Sequence, residues 1–386
     1  METAIAFLAS PGGSDYGRRI WRLRWRRAFP ADREAEISPD APATAELSGA
    51  DAWLLVLDER AQPLPSGWFP VPAPGTVLVP SEALPAGKAV HTLRELEEVS
   101  AVWGGEPVVS RTGDARWPAV AFRAADFSPC PGETVAAFAD RLLESDASRR
   151  VDPAFRALSV GDPSELERPE LTARVPGDRR RLLDVGCGSG GTAAALARRI
   201  PGLSTTGIER DPHAAARAEK SLDSVIRADA GEALARLEAA GERFDAFLFA
   251  DVLEHLDDPG AALKKARAIA SPGALLIASV PNAGHLSLAR DLAAGRFDPV
   301  PAGLADVGHL RWFTRASLAE FLEESGWSVV SVEGEKGAAP PDAEEFEKRL
   351  TDWPGIDRVS LETYQWIAVA AADPDSLLRR VENTVR

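Results

Sequence analysis

The run Leu182-Leu183-Asp184-Val185-Gly186-Cys187-Gly188-Ser189-Gly190-Gly191 constrains this chain more than any other stretch. Its aliphatic residues predict a buried strand with an acid, Asp184, near the end. Gly186, Gly188 and Gly190 then permit a sharp turn and a close approach of the backbone to a ligand, because no Cβ stands in the way. Thr192 to Ile200 is rich in Ala and stops at Pro201-Gly202, which predicts a helix opened by that turn. Strand, glycine turn and helix in this order place a nucleotide-like cofactor across the carboxyl end of a parallel sheet.

Charge narrows the choice of cofactor. Gly186, Gly188 and Gly191 also satisfy G-x-G-x-x-G, a pattern shared with dinucleotide enzymes. Asp184 stands two residues before the first glycine, where its charge would repel a pyrophosphate. A cofactor with no phosphate and a cationic amino-acid end tolerates that carboxylate, and S-adenosylmethionine is such a molecule. A second short strand, Thr205–Glu209, ends in an acid able to accept from both ribose hydroxyls. A third, Ser224–Asp229, ends in an acid suited to an adenine amino group. Phe244–Asp251 and Ala274–Asn282 read as the fourth and fifth. Helical segments His213–Leu222, Gly231–Ala240 and Gly260–Ala270 separate them. This alternation, with near-continuous apolar strands, predicts a parallel α/β sheet covered on both faces.

The ordered blocks Leu183–Gly190, Gly207–Asp211, Ala228–Ala230, Phe244–Leu256, Ser271–Asn282 and His309–Leu318 resemble a class I S-adenosylmethionine-dependent methyltransferase. The resemblance covers about half the chain, from Arg168 to Asp373. The last block, with Arg168-Pro169-Glu170-Leu171 upstream, resembles a subgroup associated with surface-polysaccharide pathways. The resemblance implies a Rossmann-like sheet with an antiparallel edge hairpin, built here from Trp327–Val332 and Tyr364–Ala370. It implies that Asp184, Gly186, Gly188 and Gly190 line the methionine end of S-adenosylmethionine. Glu209 would then hold the ribose, Asp229 and the Ala230 backbone the adenine, and Asp251 with Val252 would lie toward the transferred methyl.

Displacement at a sulfonium methyl requires alignment and exclusion of water, and a base only where the acceptor must lose a proton. His255, just after the fourth strand, is the first candidate base; with Glu254 it is alternatively a loop-shaping residue. His285 and His309 fall on the same rim, as bases, acceptor contacts or hydrogen-bonded loop residues. Asn282, Arg311 and Trp312 are candidates for acceptor binding, Arg311 either through an anionic group on the acceptor or as a structural ion pair. No metal site is expected. Leu286–Asp306, a helix followed by a Pro/Gly loop, reads as an acceptor-binding cap. Thr314 or Ser317 can cap a helix striped by Leu318, Phe321 and Leu322. Glu333–Leu361, rich in Pro and acids, is a lid or a solvated insertion.

Residues 1–146 carry no cofactor motif and predict a smaller α/β module, with strands Thr3–Ala9 and Ala52–Glu59 and a helix Glu133–Leu143. The second strand and its turn, Asp58-Glu59-Arg60, resemble a degenerate nucleotide-sugar glycosyltransferase, although the Arg beside the acids argues against a divalent cation. Residues 147–178 form a linker and lead-in helix, 179–373 the cofactor domain, and 374–386 a tail. The patch Arg18–Arg27 interleaves arginines with Trp21 and Trp25, but 59 acids against 44 basic residues give a net charge of −15, which disfavours a polyanion binder. Two cysteines make no disulfide framework, and neither a membrane-spanning run nor a secretory pattern is present, so a cytoplasmic location is expected. These features predict methyl transfer to a small molecule such as a sugar or pathway intermediate, at oxygen. A methyltransferase acting on RNA or protein, a NAD enzyme and a non-catalytic scaffold are the rivals. The sequence leaves room for an oligomer.

Overall fold

A computed structural model of the chain describes residues 2–8, 25, 31–38, 41–56, 62–63, 77–82, 119–123, 127, 129–144, 149–158, 167–299, 303–336, 343–351 and 353–373. Two compact units result: Met1–Gly161 with Asp298–Gly308, and Asp162–Phe297 with His309–Arg386. The Asp58-Glu59 turn, the tail 374–386 and all of the Arg18–Arg27 patch except the buried Trp25 lie outside the described residues.

In the first unit, β1 (Thr3–Leu8), β2 (Arg33–Ile37), β3 (Ala52–Val56), β4 (Gln62–Pro63), β5 (Val77–Glu82), β6 (Ala119–Arg123) and β7 (Arg149–Leu158) form a seven-stranded sheet of order β2-β1-β3-β6-β5-β7-β4. β2, β1 and β3 run parallel, and β6 turns antiparallel to β3. Ala4 and Ala6 on β1 and Trp53 and Leu55 on β3 alternate onto one face. The helix Val135–Glu144 covers that face with Val135, Phe138, Ala139 and Leu142, the i, i+3, i+4, i+7 stripe of an amphipathic helix.

The second unit holds β8 (Arg181–Val185), β9 (Ser204–Glu209), β10 (Ser224–Arg227), β11 (Phe244–Ala250), β12 (Ala270–Pro281), β13 (Ser328–Lys336) and β14 (Thr363–Ala371), in the order β10-β9-β8-β11-β12-β14-β13. β8 to β12 pair in parallel, and β14 is antiparallel to both its neighbours. Both faces of the central strands are covered. Leu182, Ala246 and Leu248 enter the core beneath the helix Gly191–Arg199. Leu183, Phe247 and Phe249 enter the opposite core, under the helices Ala230–Ala239, Pro259–Ala268 and Arg315–Glu324. Trp327 closes that side, its indole edge on Phe247 at 5.4 Å and its Nε1–H donating to the Leu263 carbonyl at 3.1 Å. Each such buried aromatic contributes about 2–3 kcal/mol of transfer free energy.

Several elements depart from the sequence expectation at their ends. β12 begins at Ala270, ahead of Ala274, because Phe244 pairs with Ala270 before a register shift. Thr314 and Ser317 do not compete as caps; they form one reciprocal capping box. The 333–361 stretch carries two helices, Ala343–Thr351 and Arg358–Glu362. Of the expected cap, Leu286–Ala293 is helical, whereas Asp298–Gly308 groups with the first unit.

The strand order positions the site. The chain runs outward from β8 to β9 and β10, then returns to lay β11 on the other side of β8. That reversal leaves a crevice at the carboxyl ends of β8 and β11, the place where open α/β sheets bind ligands.

Candidate active site

A cavity of about 280 Å³ lies at this reversal, and its wall includes Gly186, Glu209, Asp229, Ala230, Asp251 and His255. Four carboxyl ends of parallel strands supply these residues, which is why positions scattered over seventy residues of sequence meet at one place.

The glycine turn is built for close approach. Gly186, Gly188 and Gly190 all have positive φ (+71°, +56° and +84°), a region costly for residues with a Cβ. At Gly186 a Cβ would stand 2.5 Å from Val252 Cγ2, so the turn and the loop after β11 touch only because that atom is absent. The Gly186 and Cys187 N–H groups donate to the Ile208 carbonyl at 2.8 and 3.0 Å, tying the turn to β9. Gly190 caps the helix Gly191–Arg199. Cys187 is buried against Gly207, and burial pushes its thiol pKa up, so it stays a protonated packing residue.

The acids take distinct positions. Glu209 accepts from the Gly188 N–H at 2.9 Å and from the Asp211 N–H at 2.8 Å, which orients its carboxylate between the two loops. Asp229 caps the helix Ala230–Ala239, accepting from the Gly231 N–H at 2.8 Å, and is exposed to the cavity beside Ala230. Asp184 is 2% exposed, and burial, with the neighbouring Glu209 charge, raises its pKa to about 7. Asp251 follows β11 with φ +55°; its carboxylate accepts from Arg168 Nη1 at 2.6 Å, from Ser279 Oγ at 2.9 Å and from Gln365 Nε2.

The rim residues divide. His255 lines the cavity, and its ring meets that of His309 edge-on at 4.8 Å. Among the described residues, Glu254, His255 and His309 each offer a ligand atom within 4.8 Å of the others, a spacing that could hold one cation where the sequence promised none. His285, by contrast, is buried and caps the helix Leu286–Ala293, its Nδ1 accepting from the Ser287 N–H at 3.2 Å; burial lowers its pKa to about 4. Asn282, fully buried, donates to the Ser360 and Thr363 carbonyls, each at 2.7 Å, and accepts from the Gly284 N–H. Arg311, expected to meet an acceptor anion or form an ion pair, donates to the carbonyls of Leu256 and Asp257, the latter at 2.9 Å. It clamps the wall of the cavity because two orphan carbonyls of a tight loop lie within its reach. Trp312 is 43% exposed, with its ring edge-on to Phe297 at 5.4 Å.

The site tests positively for S-adenosylmethionine on its own geometry. Gly186 and Glu209 both line the cavity, and Glu209 brings a carboxylate oriented by two backbone N–H groups and able to accept from a diol. Fold and site together define a class I S-adenosylmethionine-dependent methyltransferase. A family model described as "Methyltransferase domain" matches residues 147–332. The chain is 34% identical over 178 residues to the ubiquinone biosynthesis O-methyltransferase of Cereibacter sphaeroides, spanning 44% of this chain and 69% of that protein. It is 31% identical over 213 residues to the enzyme of the same name from Dinoroseobacter shibae, spanning 50% and 82%. A S-adenosylmethionine-dependent methyltransferase structure from Archaeoglobus fulgidus is 19% identical and covers 50% of this chain and 87% of that one, with a TM-score of 0.38. The chain belongs to this methyltransferase family. These relatives are named for ubiquinone biosynthesis, so the polysaccharide and glycosyltransferase associations expected from the sequence find no support in them.

Chemically, the bound cofactor supplies an electrophilic methyl on a sulfonium. Glu209 would hold the ribose, Asp229 and Ala230 the adenine, and Asp184 with the Gly186–Gly190 turn the amino-acid end. Asp251, Val252 and His255, from the loop after β11, line one wall of the same cavity. No helix among the described residues is long and apolar enough to cross a membrane.

Proposed function

We propose that this enzyme methylates an oxygen of a small molecule, with the hydroxyl proton removed at the His255–His309 pair. The carrying observation is that His255 lies on the cavity wall with His309 stacked edge-on against it. The His255 imidazole, on the cavity wall, can accept the proton that a hydroxyl nucleophile must lose, and the buried His309 ring packs against it. Relatives named O-methyltransferases of ubiquinone biosynthesis support oxygen as the acceptor atom and a small molecule as its bearer. The net charge of −15 opposes a polyanionic substrate.

A second reading has a specific observation behind it. Glu254, His255 and His309 converge closely enough to hold a divalent cation, which would lower the pKa of a hydroxyl bound to it.

The test uses purified protein, methyl-labelled S-adenosylmethionine and a size-fractionated bacterial extract. Label in the small-molecule fraction that survives alkali, as an ether does, is the expected result. Label confined to RNA or protein, or released by alkali as from an ester, would overturn the proposal.

A further inference from the structure

Among the described residues two non-glycine residues have positive φ, Arg168 at +48° and Asp251 at +55°, and they are bonded to each other. Each left-handed backbone costs about 1 kcal/mol or more and persists where surrounding contacts fix it. Arg168 donates Nη1 to Asp251 at 2.6 Å, Nη2 to Gln365 Oε1 at 2.7 Å, and Nε to Glu170. Gln365 returns its Nε2–H to Asp251, and Ser279 donates to the same carboxylate oxygen. The Asp251 N–H in turn donates to Ser279 Oγ at 3.1 Å. The Arg168 side chain is only 13% exposed, whereas Asp251 is 32% exposed and opens onto the cavity.

We infer that Arg168 is a positioning residue that both fixes Asp251 at the methyl-transfer end of the cavity and neutralises its charge there. The reason to neutralise it is electrostatic. In this reaction the sulfonium charge disappears on the way to product. A bare carboxylate facing it would stabilise the bound cofactor more than the transition state, and so would slow transfer. Pairing Asp251 with a buried guanidinium keeps its hydrogen-bonding geometry and removes most of that ground-state pull. Burial opposes the Arg168 charge, yet Asp251 and Glu170 outweigh it and hold its pKa above the ordinary value, so the guanidinium stays charged. The ion pair joins positions 83 residues apart.

The experiment needs no acceptor. Calorimetry compares the affinities for S-adenosylmethionine, which carries the sulfonium, and S-adenosylhomocysteine, which is neutral at sulfur. Arg168→Met is expected to shift the ratio toward S-adenosylmethionine by roughly threefold to tenfold, the scale of one charge at several ångströms in a half-exposed site. Arg168→Lys, which keeps the charge, should stay within about twofold of wild type. Asp251→Asn, which tolerates the left-handed backbone, should shift the ratio the opposite way, and Arg168→Met/Asp251→Asn should return it toward wild type. A merely structural Arg168 would weaken both ligands alike and leave the ratio fixed; that result overturns the inference. So does an unchanged ratio in Asp251→Asn, a variant that reads the charge even where Arg168→Met fails to fold.

Discussion

The Glu209 carboxylate accepts the Gly188 N–H at 2.9 Å, so the acid closing β9 and the glycine turn closing β8 form one preassembled wall of the cofactor cavity. With its other oxygen on the Asp211 N–H, Glu209 cannot swing away, and its remaining lone pairs face the cavity.

Glu209→Ala is therefore expected to weaken S-adenosylmethionine by about 1–3 kcal/mol, the scale of hydrogen bonds to a charged group. Titration calorimetry reads this directly. Unchanged affinity would refute the ribose assignment.

Gly186→Ala should be more severe. Its Cβ would meet Val252 Cγ2 at 2.5 Å, and the residue would hold φ +71°. A loss of about 1–3 kcal/mol in stability is expected, with cofactor affinity falling further than in Glu209→Ala. Chemical denaturation and calorimetry on the same sample separate the two effects.

Asp184 links pH to both binding and stability. Its pKa in the folded protein is about 7, against 3.8 ordinarily, with burial the main cause and Glu209 the second. Between these values the folded protein binds more protons than the unfolded chain, so this group makes stability fall as pH rises from about 4 to about 7 and level off above. Cofactor binding should run the other way, because its cationic end favours the ionised acid; affinity should drop below pH 7. Asp184→Asn should raise the melting temperature of the cofactor-free protein at pH 8, flatten that pH dependence and weaken cofactor binding. A variant less stable than wild type at pH 8 would contradict this.

His255→Ala and His309→Ala should each lower kcat by about 10²-fold or more once an acceptor is in hand, with cofactor affinity little changed. With an imidazole as the base, activity survives a chelator. Loss on chelation, restored by a divalent cation, would assign Glu254, His255 and His309 to a metal.

Much of the cofactor half was legible in the sequence because its signals are local. Strand, turn and helix around Gly186 lie within one twenty-residue window, and Glu209 and Asp229 each end an apolar run. The rim was less legible. Asn282 and His285 follow a strand and Arg311 precedes a helix, polar loop positions shared by ligand contacts and by side chains that satisfy loop backbone. Only the path of the loop decides, and it gives Asn282 the Ser360 and Thr363 carbonyls and Arg311 those of Leu256 and Asp257. Arg168 and Gln365 were invisible as site residues for another reason. Their partner Asp251 lies 83 and 114 positions away, and no spacing rule reaches that far.

The most direct test is the crystal structure of the protein with S-adenosylhomocysteine bound. The expected density has the ribose hydroxyls on Glu209, the adenine beside Asp229 and Ala230, and the sulfur facing Asp251 and His255. A ligand bound elsewhere, or lying in this cavity with its ends reversed, would contradict the site described here.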